Sequence, residues 1–285
     1  MRTGIIGGSG LYSLPGLEIV DEIDVATPYG EPSDRLLFAR FHGQEVVFLP
    51  RHGRGHRIPP HMINYRANIY AMKLAGVSRI ISISAVGSLR QEIVPGHFVV
   101  IDQFVDRTHG RPSTFFDGPV TAHVSMADPV CPQLRRQLAA ACHAANITTH
   151  ERGTYLCMQG PQFSSRAESH LHRQWGMDVV GMTNMPEAKL AREAEICYAT
   201  VAMSTDYDCW HEEEEDVSMH SLLQVMQGNI VHARAMLEAL FAAGHVQEAC
   251  PAGCRHTLNQ AIFTDLKMVD DAALRPIHAL VERFL

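Results

Sequence analysis

The chain has 285 residues, with 24 Lys and Arg against 31 Asp and Glu, a formal charge of −7, and 46% hydrophobic residues. That composition supports a substantial core, while no stretch approaches the ~20 consecutive apolar residues of a bilayer span, so disorder, collagen-like structure and membrane insertion are excluded. The acidic balance argues against nucleic acid as the main partner, because backbone binding needs clustered surplus cations. The apolar stretch before the first glycines is too short for a secretory signal, so a cytoplasmic address is expected.

Short β-rich runs alternate with helical patterns, as in an α/β domain. Residues 3–6 read as a first strand and 46–49 as another, followed by the turn-rich Arg51-His52-Gly53-Arg54-Gly55-His56 and then Pro59-Pro60, which stop regular structure. A helix is predicted over 61–74 from Ile63, Ala67, Tyr70 and Leu74, with Gly76 as its stop. The strand at 79–86 ends in Gly87, so Ser84 and Ala85 lie near its carboxyl end, where open α/β sheets bind ligands. A helix over 134–145, a strand over 153–157 and a helix over 165–175 follow, the last opening on Ser165 with Glu168 in capping-box spacing. Strands are predicted at 178–182 and 194–203 with a Pro186-initiated helix between them. After the acidic run Glu212–Asp216, read as a solvated loop or helix amino terminus, a long helix extends over about 217–243. Beyond Gly244, Leu274, Ile277, Leu280 and Val281 have the spacing of a docked amphipathic helix.

Four segments carry chemistry. In Gly4-Ile5-Ile6-Gly7-Gly8-Ser9-Gly10, glycines after a strand either make a tight turn or aim backbone N–H groups at an anion. A dinucleotide fingerprint is disfavoured, since Ser13 falls at the third glycine and Pro15-Gly16 would break the following helix. The Arg51-His52 loop offers guanidinium, which grips phosphate with a two-pronged fork, or is simply a basic surface loop. Asp206 and Asp208, two residues apart on an extended segment, can turn both carboxylates toward one ligand. A metal is disfavoured there because no His stands at a matching offset, although Mg²⁺ held mainly by substrate stays open beside acid catalysis, recognition of a donor-rich edge and a plain solvated turn. In Gln159-Gly160-Pro161-Gln162-Phe163-Ser164-Ser165 the Phe163 ring either stacks on a heterocycle or plugs the core.

Seven cysteines, an odd number, read as thiols rather than a disulfide framework. Cys250 and Cys254, with His256 nearby, are at most half of a zinc site, and no second pair follows them. A disulfide joining them to Cys131 or Cys197 stays open.

These motifs, together with Thr27-Pro28-Tyr29-Gly30, Asn64-Tyr65-Arg66-Ala67-Asn68, Ser84-Ala85-Val86-Gly87-Ser88-Leu89, Gly181-Met182-Thr183, Pro186-Glu187 and Asp206-Tyr207-Asp208-Cys209-Trp210, resemble the trimeric purine nucleoside phosphorylase family. The resemblance is strongest to its methylthioadenosine phosphorylase branch and covers roughly the first 240 residues. Ser9 and Ser84 stand where many relatives carry Thr, and Val86 where Cys is frequent.

The resemblance implies an α/β, single-domain nucleoside phosphorylase fold, a mixed central β-sheet flanked by helices, over residues 1–243, with a C-terminal tail over 244–285. It implies a pentosyltransferase in which inorganic phosphate, a co-substrate, displaces adenine from 5′-methylthioadenosine, without metal or organic cofactor. By resemblance, Ser9, Arg51, His52, Ser84 and Thr183 hold phosphate, and Ala85 and Met182 border the ribose. Phe163 and Ser164 line the base, and Asp206 and Asp208 face the purine N7 and 6-amino group as catalytic and base-binding acids. His123, reaching from a neighbouring subunit, and Met219 and Leu222 are the expected 5′-methylthio pocket, although the last two equally fit a helix core. The expected partners are nucleoside and phosphate in a homotrimer with sites near its interfaces, with no nucleic acid and no membrane. Enzymes of this fold preferring 6-oxopurine nucleosides, and a catalytically silent nucleoside-binding protein, are the alternatives.

Overall fold

Ile5 and Ile6 in the first strand enter two different apolar clusters, the period-two alternation of a sheet buried on both faces. The computed structural model describes residues 1–12, 14–211, 219–244 and 250–285, without the side chains of Ser9, Tyr12 and residues 219–222. In chain order the elements are β1 (Arg2–Gly7), β2 (Glu18–Ile23), β3 (Leu36–Phe41), β4 (Gln44–Pro50), α1 (Tyr65–Leu74), β5 (Val77–Ser88), β6 (Phe98–Val100) and β7 (Gln103–Arg107). They continue with α2 (Pro132–Ala144), β8 (Thr149–His150), β9 (Thr154–Met158), α3 (Arg166–Gln174), β10 (Val179–Gly181), α4 (Asn184–Glu193), β11 (Cys197–Tyr207), α5 (Met219–Ala242), α6 (Asp271–Leu274) and α7 (His278–Val281).

The strands form one mixed sheet in the order β2-β3-β4-β1-β5-β10-β9-β7, with β11, β6 and β8 branching from β5. Ile69 and Met72 of α1 and Leu190 of α4 pack with Ile6, Leu49 and Ile80 on one face, while Leu138 of α2 and Leu237 and Phe241 of α5 pack with Ile5, Phe48 and Ile81 on the other. The result is a three-layer α/β architecture. No helix among the described residues is long and apolar enough to cross a membrane.

The course of β5 positions the site. One edge pairs with β11 along nearly its whole length, from Arg79 to Ser88. The other edge is shared: β1 pairs as far as Ser82, and β10 pairs only at Gly87 and Ser88. Between them the sheet opens along residues 83–86, and Ala85 is exposed in the middle of an otherwise buried strand. Side chains near this opening can face a ligand instead of a neighbouring strand.

Several elements differ from their sequence expectations. The helix expected from 61 starts at Tyr65, because the Asn64 side chain caps it by accepting from the Ala67 N–H at 3.1 Å, and Pro60–Met62 form a separate 3₁₀ turn. Strand β11 runs on to Tyr207, with a register shift between Ser204 and Asp206 that marks a bulge at Thr205. Helix α4 begins at Asn184, yet Met185 has non-helical angles, so regular helix starts at Pro186 as expected. The docked tail is two short helices, α6 and α7, since Arg275–Ile277 between them is 3₁₀ and Pro276 lacks the N–H a continuous helix needs. Strands β2, β3, β6, β7 and β8 are not among the elements expected from sequence. The acidic run Glu212–Asp216 lies outside the described residues.

Candidate active site

The opening in β5 is walled by hydroxyls. Ser84 Oγ lies 3.2 Å from Tyr155 Oη and 3.4 Å from Thr183 Oγ1, and the Thr183 N–H donates to Tyr155 Oη at 3.4 Å. Thr183 is the N-cap of α4, but its side chain makes no capping bond and turns to Ser84 instead. Burial holds the Tyr155 phenol at a pKa of about 12, so it stays a neutral donor. Two expected anion-binding hydroxyls are thus brought together from β5 and α4, with Tyr155, which sequence reasoning missed, as the bridge.

Arg51 enters from the loop after β4, its N–H donating to Gly7 O at 3.0 Å, which ties that loop to the glycine turn after β1. Its guanidinium is 2% exposed and its fork is already taken: Nε donates to Glu187 Oε2 at 2.8 Å and Nη2 to Glu187 Oε1 at 3.0 Å. Nη1 donates to Ile83 O at 2.9 Å, at the opening itself, and Nη2 to Ser82 Oγ at 2.6 Å. Burial works against the cation, but the Glu187 charge and hydrogen bonds outweigh it and raise the pKa. The bidentate grip on phosphate expected of Arg51 is therefore not available, and among the described residues Nη1 keeps one hydrogen beyond the one it gives Ile83 O. Glu187, 0% exposed, also accepts from Ser82 Oγ and Tyr198 Oη. The sequence pattern shows Glu187 only as a residue beside a helix-starting proline.

His52 stacks on His56 with ring centroids 4.1 Å apart, and its Nδ1 lies 2.9 Å from Ile58 O. A carbonyl can only accept, so Nδ1 carries the hydrogen and the neutral ring presents a bare Nε2. Burial lowers its pKa to about 4, the Arg51 and His56 charges adding to the effect. The Ser9 side chain lies outside the described residues; its backbone opens the 3₁₀ turn Ser9–Tyr12.

At the other end of the opening, Gly87 separates two carboxylates. A methyl group there would lie 3.3 Å from Asp206 Oδ2 and 3.4 Å from Asp208 Cβ, so both acids flank one glycine. Thr205 Oγ1 donates to Asp206 Oδ1 at 2.5 Å. Asp208 is 6% exposed, and its Oδ2 is buried without a hydrogen-bond partner among the described residues. A buried carboxylate oxygen lacking a donor is costly unless a ligand supplies one. The Asp208 N–H and Trp210 Nε1 both donate to Ser88 O, at 2.9 and 2.8 Å, fixing this segment against the end of β5. His172 stands near: burial lowers its pKa and the Asp208 charge pulls it back.

The Gln159 loop borders the same region. Cys209 Sγ donates to Ser164 O at 3.2 Å, which places Ser164 beside the aspartate segment. Phe163 is 74% exposed, so the core-plug reading of this ring is excluded. Arg111 holds the loop to the α4 start, donating from Nη2 to Gln159 O at 2.6 Å and from Nη1 to the carbonyls of Met182 and Met185 at 2.8 and 2.7 Å. Met182 packs on Gly160, where any Cβ would meet its Sδ. His123 is not gathered with these residues in its own chain. It is exposed, bonded through its N–H to Ala261 O and set edge-on to Phe263 at 5.2 Å. The backbones of Met219 and Leu222 lie on α5, and their side chains are outside the described set.

Residues 2–242 match the profile of the phosphorylase superfamily. The chain belongs to that superfamily. This phosphorylase is 54% identical to S-methyl-5′-thioadenosine phosphorylase of Geobacter sulfurreducens over 92% of its own length and 91% of the relative's. It is 51% identical to the protein of that name from Bradyrhizobium diazoefficiens, over 99% and 97% of the two chains. Among solved structures, a methylthioadenosine phosphorylase sourced from an antarctic soil metagenomic library matches with a TM-score of 0.93 and 46% identity over 98% of both chains. The methylthioadenosine phosphorylase of Schistosoma mansoni, in complex with adenine, matches with a TM-score of 0.83 and 38% identity over 89% of this chain and 95% of that one.

Proposed function

We propose that this protein is an S-methyl-5′-thioadenosine phosphorylase. It transfers the 5-methylthioribosyl group of 5′-methylthioadenosine to inorganic phosphate, releasing adenine and 5-methylthioribose 1-phosphate in purine and methionine salvage. The observation that carries this reading is the opening beside β5, with the Ser84 and Thr183 hydroxyls 3.4 Å apart on one side and, across Gly87 on the other, the buried Oδ2 of Asp208, which has no partner among the described residues. The relatives in the comparison act as a second, independent support.

In this reading Ser84, Thr183, Ser9 and the remaining Nη1 hydrogen of Arg51 hold phosphate. Because Glu187 neutralises Arg51, hydroxyl and backbone donors supply more of the grip than net charge does. His52 takes part through Nε2, which accepts a hydrogen from a protonated phosphate oxygen. Ala85 and Met182 border the ribose, Phe163 covers the base and Ser164 lines it. A phosphate oxygen attacks the anomeric carbon as its bond to purine N9 breaks, and the bonding pair leaves with the base. Positive charge grows on the sugar, as in glycoside hydrolysis, and the bound anion beside it stabilises that charge. Asp206 delivers or shares a proton at N7, so a neutral purine departs. Asp208 Oδ2 accepts from the 6-amino group, and the Asp206 and Asp208 carboxylates together favour adenine over a 6-oxopurine whose oxygen they would repel. Nucleophile and acid are complete without a metal or an organic cofactor.

The finer assignments belong to the same proposal. Residues 1–243 form the catalytic domain and 244–285 a docked tail. The enzyme is a cytoplasmic homotrimer, and exposed His123 with 73%-exposed Phe263 faces a neighbouring subunit's site, where His123 joins Met219 and Leu222 around the methylthio group. The deciding experiment measures base release from 5′-methylthioadenosine, adenosine, methylthioinosine and inosine, each with and without phosphate. Phosphate-dependent adenine release, fastest for the methylthio substrate, is expected. Faster hypoxanthine release would overturn the role of the aspartates, and binding without turnover would make this a nucleoside-binding protein. Light scattering after size exclusion tests the trimer.

A further inference from the structure

Four of the seven cysteines, from three distant parts of the chain, meet at one point. Cys131 is the N-cap of α2, Cys197 opens β11, and Cys250 and Cys254 follow α5 in the tail. All four Sγ atoms lie within 4.8 Å of one another, and Cys131 Sγ is 3.6 Å from Cys250 Sγ. We infer that these cysteines form a tetrathiolate site for a structural zinc ion that clamps the C-terminal tail to the catalytic body.

The spacing fits the ion. With Zn–S bonds of about 2.3 Å, the edge of a ZnS₄ tetrahedron is about 3.8 Å, close to the observed separation and well above the ~2.05 Å of a disulfide. Two disulfides would sort four sulfurs into two bonded pairs, whereas here all four crowd around a shared centre. Four thiolates satisfy the usual closed coordination of a structural zinc and leave no position for substrate water. The Cys250 and Cys254 spacing lies within the range such sites use; sequence reasoning weighed Cys131 and Cys197 only as disulfide partners, because α2 and β11 deliver them separately. His256, the neighbour suspected from sequence, is not in the group.

The surroundings suit a thiolate-rich centre. The Leu134 N–H at the start of α2 donates to Cys131 Sγ at 3.5 Å, so the helix amino terminus faces sulfur, and Arg192 Nη1 reaches Cys254 Sγ at 3.6 Å. Arg79 is buried and stands opposite Cys197 in the register of β5 and β11. A zinc tetrathiolate carries two net negative charges, and these two guanidiniums offset them. Cys131, Cys197 and Cys254 are buried, which shields the site from competing ligands.

The test uses the full chain purified without chelator from zinc-supplemented cells. Elemental analysis is expected to find about one zinc per chain, lost in Cys197→Ser and in Cys250→Ser but kept in the control Cys142→Ser, whose buried thiol lies outside the cluster. Cobalt(II) added to the metal-stripped protein should give the intense visible absorption of a tetrahedral cobalt thiolate, a readout independent of activity. If the serine variants fold poorly, wild type alone decides: a strong chelator should lower its melting temperature and zinc should restore it, while a reductant changes nothing. Metal-free protein with four freely reacting cluster thiols would overturn the proposal. So would an intact mass short by two or four hydrogens, which would mean disulfides.

Discussion

Arg51 and Glu187 are 136 residues apart in the chain and meet in a two-pronged ion pair, Nε to Oε2 at 2.8 Å and Nη2 to Oε1 at 3.0 Å, with both side chains shut away from water. The pair fixes the loop after β4 against α4 just below the opening in the sheet. It also spends most of the guanidinium's hydrogen-bonding capacity inside the protein.

Removing one partner should therefore be worse than removing both. Glu187→Gln leaves a buried cation without its counter-charge and is expected to cost about 3–5 kcal/mol, read as a fall in the urea midpoint. Arg51→Met with Glu187→Leu should recover much of that stability while phosphorolysis stays lost. Equal stability of the single and double variants would show that the pair is not the unit holding these elements.

Gly181 is the close approach that lets Tyr155 reach Ser84 and Thr183, because any Cβ there would overlap Tyr155 Oη. Gly181→Ala should displace the phenol, raise the KM for phosphate more than that for nucleoside, and cost about 1–3 kcal/mol through overpacking. Tyr155→Phe keeps the ring and removes the hydroxyl, so it should show the phosphate effect with a smaller stability loss. Steady-state kinetics with each substrate varied in turn separates the two.

Asp206→Asn is expected to reduce adenine release by about 10²–10⁴-fold, the span of a lost general acid, while 6-oxopurine nucleosides lose less. The comparison to make is kcat/KM for adenosine against inosine in wild type and variant. An unchanged ratio would remove the aspartate from base selection.

The pKa of His52, lowered by burial to about 4 from an ordinary 6.5, makes two pH predictions. Between these values the unfolded chain binds a proton that the folded chain refuses, so stability falls as pH drops from 6.5 toward 4. His52→Gln should flatten that part of the stability profile. Bound phosphate, an anion at Nε2, should raise the His52 pKa, so phosphate binding takes up a proton that His52→Gln does not. Calorimetry in buffers of different ionisation enthalpy measures this uptake and corrects for phosphate's own titration.

Much of the architecture is local and can be read from sequence. The Ser165–Glu168 capping box forms as its spacing demands, with the Ser165 N–H donating to Glu168 Oε2 at 2.8 Å. The strand expected at 79–86 does form, as the central β5 over Val77–Ser88. The placement of Asp206 and Asp208 beside one another at Gly87 was also legible, since period-two geometry needs no partner to be understood. Strand β8 is two residues long and holds its shape only through β6, so nothing local announces it, whereas Phe98-Val99-Val100 of β6 is a buried aromatic and β-branched run that sequence reasoning passed over.

Sequence by itself determined the residue types that can do chemistry and the ends of strands where they stand, because hydrophobic period, caps and glycines act over a few residues. Tertiary structure decided which of those groups are available. It exposed Ala85 by handing one edge of β5 from β1 to β10, gave the fork of Arg51 to Glu187, and gathered four cysteines from three parts of the chain. Each of these depends on which distant groups share a small volume, and burial and charge compensation are properties of that volume rather than of any segment within it.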